Sequence, residues 1–254
     1  MTRINVRAAM RSIVGKRSEN EDKVAVERAG EDWVCVLSDG AGGHGGGAIA
    51  SEVAVGRILD GFQARPARDP SDLRELILDA HDAVVSAQNR VQGAGAQMHA
   101  TVVVLALNTA SQSAIWGHVG DSRLYFLRGG RIQSVTHDDS VVQWMVDAGM
   151  IGTFEARDHP RKNFLFAALG MSEEVAPRMS EDANAIEIGD AFLLCSDGWW
   201  EALANQAIEA ALAGSRSEDE WLDRMAEAVA AHGKQNQDNY SAIGVWIAGP
   251  GEGA

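Results

Sequence analysis

Between residues 101 and 135 the sequence holds four short runs rich in β-branched and aromatic residues, at 101–107, 114–119, 123–127 and 131–135. The joints between them are tight, and Gly129-Gly130 suits a two-residue hairpin because both positions of such a turn favour positive φ. Parallel neighbours need a crossover of a dozen or more residues, and there is no room for one here. The segment therefore reads as an antiparallel meander, which excludes an all-parallel doubly wound sheet.

Around the meander, strand-like runs fall at 5–9, 23–27 and 33–37. A Gly-rich stretch, 40–47, breaks the pattern before a helix over 48–62 whose Ile49, Val53, Ile58 and Leu59 share one face. A second helix over 72–91 carries Leu73, Leu76, Ile77, Ala80 and Val84 at spacings of three and four, with Ser71 as its expected N-cap. Residues 140–170 are irregular, with a short helical piece at 141–148 and a loop bearing Arg157, His159, Arg161 and Lys162; they read as an exposed insertion. Strands return at 185–188 and 191–195, and a helix starts at Trp199. The last helix opens on the capping-box signature Ser217-x-x-Glu220 and stops at His232-Gly233, before a strand over 240–247.

With 254 residues, 46% of them apolar, the chain can fold around one core system, so residues 1–254 are expected to form one domain. A net charge of -14 argues against a nucleic-acid backbone as partner, since such binders need clustered Lys and Arg. Cys35 and Cys195 each sit inside an apolar run, as reduced core residues do. No apolar stretch is long enough to span a bilayer, and the N-terminal segment lacks the apolar core of a signal peptide; the expected address is the cytoplasm, without a membrane partner.

Four aspartates stand at the edges of these strands: Asp39 after 35–38, Asp121 after 118–120, Asp197 after 194–196, and Asp238 ahead of the final strand. One Asp-Gly is usually only a turn signal. Four of them against apolar runs would place uncompensated negative charge at one end of a core, and divalent cations relieve such repulsion. An all-oxygen donor set suits hard ions such as Mg²⁺ or Mn²⁺ rather than zinc.

At this point the chain resembles the metal-dependent protein phosphatases of the protein phosphatase 2C type, in a bacterial form. The resemblance spans nearly the whole length. It rests on Arg17 to Glu21-Asp22, on Ser38-Asp39-Gly40 with the glycines around His44, on Gly120-Asp121-Ser122-Arg123, on His159-Pro160 through Ala168-Leu169-Gly170, on Ser196-Asp197-Gly198, and on Asp238-Asn239. It implies an α+β fold, a four-layer αββα sandwich of two mainly antiparallel sheets flanked by helices, with a flap at about 140–170. It implies a serine/threonine protein phosphatase in which water bridging two cations attacks phosphorus directly. By the resemblance, Asp39, the Gly40 carbonyl, Asp197 and Asp238 bind two Mn²⁺ or Mg²⁺ ions and Asp121 serves a third, weaker one. Asp22 steadies metal-bound water, Arg17 holds the substrate phosphate, and Arg161 on the flap meets substrate; Glu21 and Asn239 are supporting candidates. The implied partners are phosphorylated proteins, targets of a serine/threonine kinase, and the implied state is a monomer.

Two departures from the family pattern stand out. Eukaryotic relatives carry a His just after the first Asp-Gly, as general acid, where this chain has Ala41; His44 is a candidate donor by proximity and equally a tether for the Gly-rich loop. Where many bacterial members have Gly-Thr-Thr, this chain has His99-Ala100-Thr101. A competing reading, a dinucleotide fingerprint over Gly40-x-Gly42-x-x-Gly45 with Asp60 downstream, is disfavoured because Asp39 would face the pyrophosphate and Asp60 lies in a helical stretch.

Overall fold

The structure, a computed structural model, describes residues 3–42, 46–90, 98–171, 174–232 and 236–250. One sheet has the order β1 (Asn5–Ile13), β12 (Tyr240–Ala248), β11 (Ala191–Cys195), β7 (Arg123–Arg128), β8 (Arg131–Val135). The other runs β10 (Asn184–Ala185), β6 (Ser113–Val119), β5 (Val102–Asn108), β3 (Asp32–Gly42), β2 (Asp22–Ala29), with β4 (Met98–Ala100) added to β3 and β9 (Arg178–Met179) added to β6. Every one of these pairings is antiparallel. The meander expected from the sequence is thus present, split between the sheets at the β6–β7 connection, and among the described residues there is no βαβ unit for a dinucleotide fingerprint. Asp60 lies within α1 (Gly46–Ala64).

The layering follows from alternation along the central strands. On β3, Val34 and Val36 turn toward α1 and α2 (Pro70–Gln88), where Ala54, Ile58, Phe62, Leu73 and Ile77 cover them. Cys35 and Leu37 turn the other way, against Leu194, Ile243 and Val245 of the second sheet. The outer face of that second sheet is closed by α5 (Asp197–Trp200), α6 (Asn205–Ala213) and α7 (Glu218–His232), which bury Trp199, Ile208, Trp221, Leu222 and Val229. The result is helices, sheet, sheet, helices. A strand buried on both faces reads as a continuous apolar run, which is why residues 33–37 show no polar alternation. Both cysteines are buried and free of disulfides, and burial pushes the Cys35 thiol up to about 12. Among the described residues no helix is long and apolar enough to cross a membrane.

Local chemistry explains most boundaries. Gly129 and Gly130 both have positive φ, 59° and 73°, and close the β7–β8 hairpin as a mirror-image turn. The Gly-rich stretch is shorter than the sequence suggests, because β3 continues through Gly42 and α1 already begins at Gly46. The strand expected at 185–188 is only Asn184–Ala185, and it joins the β6 edge. The capping box of α7 is half formed: Ser217 Oγ accepts from the Glu220 N–H at 3.1 Å, while the Glu220 carboxylate accepts from Arg216 rather than from Ser217. Residues 140–170 contain α3 (Val141–Asp147) and α4 (Thr153–Arg157); the isolated bridge Ser140↔Leu165 closes the segment on itself, and Ala100↔Leu169 ties it to β4.

The second helix corrects the cap assignment. Its N-cap is Asp69, whose Oδ1 accepts from the Ser71 and Asp72 N–H groups at 2.9 Å each, with Pro70 at the first helical position. Ser71 instead donates its hydroxyl to Asp69. The helix ends at Gln88, short of Val91, which lies outside the described residues. Asp69→Ala is therefore expected to lower unfolding stability by about 1 kcal/mol and Ser71→Ala by well under that, as read from urea denaturation midpoints. Equal effects of the two substitutions would contradict this cap.

Candidate metal centre

Asp22 opens β2 and Asp39 lies near the end of β3, and the two face each other directly across that pair. Asp197 begins α5 just past β11, and Asp238 precedes β12, so these come from the other sheet. Asp121 lies on the β6–β7 connection, where the chain passes between sheets. One end of the sandwich thus gathers carboxylates from both sheets. Two glycines let the backbone close around Asp238 and Asn239. A Cβ at Gly15, whose φ is 63°, would meet the Asp238 carbonyl oxygen at 2.1 Å, and one at Gly198 would meet the Asn239 carbonyl oxygen at 2.1 Å.

Hydrogen bonds fix the frame. Ser196 donates to Asp22 Oδ2 at 2.8 Å and accepts from the Ser241 N–H at 3.0 Å. Thr101 accepts from the Asp39 N–H at 3.1 Å and bonds Ser122 Oγ at 2.7 Å, joining the Asp39 strand to the residue after Asp121. Asn239 organises the N-terminal loop: its Oδ1 accepts from the Glu21 N–H at 2.8 Å, and its Nδ2 donates to the carbonyls of Val14 and Glu19 at 2.8 and 2.9 Å. Behind Asp121, Trp200 Nε1 donates to its carbonyl at 2.9 Å. The Trp200 ring also lies 3.5 Å from the Arg123 guanidinium, which grips Asp138 through two bonds of 2.9 and 2.7 Å.

The electrostatics are those of a site missing positive charge. Burial, partly offset by the Ser241 and Ser196 hydroxyls, pushes Asp22 up to about 6. Burial, then the charge of Asp138, pushes Asp121 to about 7. Asp39 and Asp197 are held well above the usual carboxylate range, first by burial and then by neighbouring aspartates. Asp22 Oδ1 is buried without any hydrogen-bond partner. An orphaned carboxylate oxygen among like charges, with only oxygen donors around it, fits a hard divalent cation. Among the described residues no three His, Cys, Asp or Glu side chains close into a ligand cage as they stand. Asp238 Oδ2 is engaged by Arg17, whose Nη2 donates to it at 2.6 Å.

Of the residues expected from the sequence, the structure gathers Arg17, Glu21, Asp22, Asp39, Gly40, Asp121, Asp197, Asp238 and Asn239 at this end of the sandwich. Gly40 follows Asp39 on β3 and donates its N–H to the Glu21 carbonyl at 3.1 Å. Arg161 is not drawn in: it sits exposed in the turn after α4, with its N–H donating to His159 Nδ1 at 3.1 Å. The adjacent Lys162 instead ties the flap to Glu201, at the end of α5. His44 lies outside the described residues. The sequence assigns no role to Thr101, Asp138 or Trp200, and shows Ser122, Arg123 and Ser196 only as members of motifs. The one available signal was the serine repeated ahead of both Asp-Gly pairs.

The chain belongs to the protein phosphatase 2C family, whose profile matches residues 11–240. The serine/threonine protein phosphatase PstP of Mycobacterium tuberculosis is 34% identical over 197 residues, 77% of this chain and 36% of PstP. The chain thus spans about a third of that relative's length. Protein phosphatase PhpP of Streptococcus pneumoniae is 34% identical over 199 residues, 76% of this chain and 78% of PhpP. A crystal structure of the catalytic domain of PstP in complex with two manganese ions is similar at a TM-score of 0.81 and 28% identity, covering 96% of this chain and 99% of that one.

The raised carboxyls set the pH dependence of the metal-free protein. Asp22 and Asp121 titrate near 6 and 7 when folded and near the ordinary value of about 3.9 when unfolded, so between about pH 4 and 7 the folded state binds more protons. Stability in excess chelator should therefore rise by about 1–3 kcal/mol as pH is lowered from 7.5 to 5.5, and Mn²⁺ should flatten the profile. Denaturation curves across that range, with and without Mn²⁺, check it; a chelated protein that loses stability on the same descent would contradict the burial of these groups.

Proposed function

We propose that the chain is a metal-dependent protein serine/threonine phosphatase that cleaves phosphoserine and phosphothreonine by direct attack of water. The observation that carries this reading is the buried carboxylate cluster contributed by both sheets, with Asp22 Oδ1 unpartnered inside it. Asp39, the Gly40 carbonyl, Asp197 and Asp238 are proposed to hold two Mn²⁺ or Mg²⁺ ions, and Asp121 a third, weaker one. Such ions supply Lewis acidity and a water nucleophile at neutral pH.

The chain's own groups do the rest. Asp22, fixed by the Ser196 hydroxyl, presents its free oxygen to the nucleophile's protons. The Arg17 side chain is 56% exposed and contacts the cluster through one guanidinium nitrogen, so it can leave Asp238 and offer a two-pronged fork to a phosphate. Asn239 and Glu21 set the loop that carries Arg17. Residues 1–254 are proposed to form one catalytic domain, monomeric and cytoplasmic, with 140–170 as a flap on which Arg161 meets phosphoprotein substrates of a serine/threonine kinase.

The test is hydrolysis of p-nitrophenyl phosphate and a phosphothreonine peptide with Mn²⁺, Mg²⁺ or chelator. Activity should require a divalent cation, and Asp197→Asn should lower kcat/KM by about 100-fold or more. Arg17→Ala should lower it by about 10- to 100-fold, mainly through KM, the worth of a charged hydrogen-bonded contact to phosphate. Folded protein that is inert with every cation, or active in chelator, would sink the reading.

A further inference from the structure

The position that holds Ala41 has a histidine directly across from it. β3 keeps one unbroken register against β5 and β4: Leu37 faces Val103, Gly40 faces Ala100 and Ala41 faces His99. Directly opposed residues of an antiparallel pair project to the same face, and alternate residues along a strand share it. His99 therefore belongs with Thr101 and Val103 on its own strand line, and with Leu37, Asp39 and Ala41 on β3. That face turns toward the second sheet, since Leu37 and Val103 lie in the core between sheets. The opposite face carries Met98, Ala100 and Val102, packed beneath α1 and α2. His99 consequently stands on the carboxylate side, one strand over from Asp39 and two residues farther along.

His99 is half-buried, and among the described residues its buried Nδ1 has no hydrogen-bond partner. The histidines of the body are engaged elsewhere: His81 Nδ1 accepts from the Gly170 N–H at 3.2 Å, His118 Nε2 meets the His137 carbonyl at 2.9 Å, and His137 pairs with Asp147 at 3.1 Å. Across the strand pair, at a Cβ separation of about 5 Å, Ala41 offers only a methyl group.

We propose that His99 is a further catalytic residue, the proton donor to the leaving oxygen; the assignment rests on the phosphatase reading above. As the bond from phosphorus to the serine or threonine oxygen breaks, that oxygen keeps the electron pair and takes a proton from the imidazolium, leaving as the alcohol. Water delivers its oxygen to phosphorus and loses a proton by way of Asp22 to solvent, and the neutral imidazole recovers its proton from solvent. An alkyl alkoxide is a strong base and needs this proton in the transition state, whereas a nitrophenolate departs without it.

The experiment compares wild type with His99→Gln and His99→Ala on a phosphothreonine peptide and on p-nitrophenyl phosphate, at saturating Mn²⁺. Melting temperature and Mn²⁺ titration establish that each variant is folded and binds the ion. The expected result is a loss of about 100-fold in kcat on the peptide, at unchanged KM, with p-nitrophenyl phosphate turnover kept within about threefold. Across a series of aryl phosphates, the variants should also depend more steeply on leaving-group basicity than wild type. Equal losses on both substrates, or no loss on the peptide, overturn the assignment while a Mn²⁺-dependent wild type keeps the phosphatase reading. A wild type inert on both substrates overturns that reading and the role of His99 with it.

Discussion

Repulsion among buried carboxylates is the constraint around which this end of the molecule is organised. Five aspartates, Asp22, Asp39, Asp121, Asp197 and Asp238, come from both sheets and the connection between them, and burial raises four of them above the ordinary carboxylate range. Left alone, such a cluster would spread or protonate. Keeping it requires a scaffold whose stability comes from elsewhere. The three apolar layers supply it, one between the sheets and one beneath each helical face, so the strand ends are anchored several residues deep in packed core before they emerge at the site.

Fixing strand ends is not enough, because a carboxylate must also be held against its neighbours' field. The structure does this with neutral donors and a partly buried cation. Ser196 and Thr101 bridge between segments without adding charge. Arg123 compensates Asp138 and packs on Trp200, whose indole in turn holds the Asp121 carbonyl. Arg123 is thus kept one layer back from the cluster, and Arg17, the guanidinium that touches it at Asp238, is itself more than half exposed. A guanidinium buried among Asp22, Asp39 and Asp197 would satisfy them permanently and leave nothing for a divalent ion to relieve.

Much of this was legible in the sequence, and the remainder was not for identifiable reasons. The meander at 101–135 and the aspartates at strand ends follow from alternation and from turn residues next to apolar runs, both local signals. The cap of α2 was misread because Ser71 and Asp69 are both good capping residues, and Pro70 settles the matter only once it is seen at the first helical position. The short β10 was overextended because Ile186 is apolar and buried without being paired in a strand. Thr101, Asp138 and Trp200 gave no signal, since their partners lie 21, 15 and 79 residues away along the chain. The pairing of Ala41 with His99 is of the same kind: a register across strands is a fact of the sheet and not of any spacing along the chain.

Arg17 stands apart from this rigid side. Its loop carries no regular structure, and its conformation depends on Asn239, which uses one side-chain amide to satisfy Val14, Glu19 and Glu21. Because Asn239 directly follows Asp238, the residue that orders the Arg17 loop is continuous with a residue of the cluster. A shift of Asp238 on closing around an ion would therefore be felt at Arg17 twice, through the ion pair it gives up and through the backbone that Asn239 holds. On the proposed roles of Arg17 and Asp238, charge at the cluster and grip on the phosphate would be coupled by two adjacent residues, with no need of a longer path through the fold.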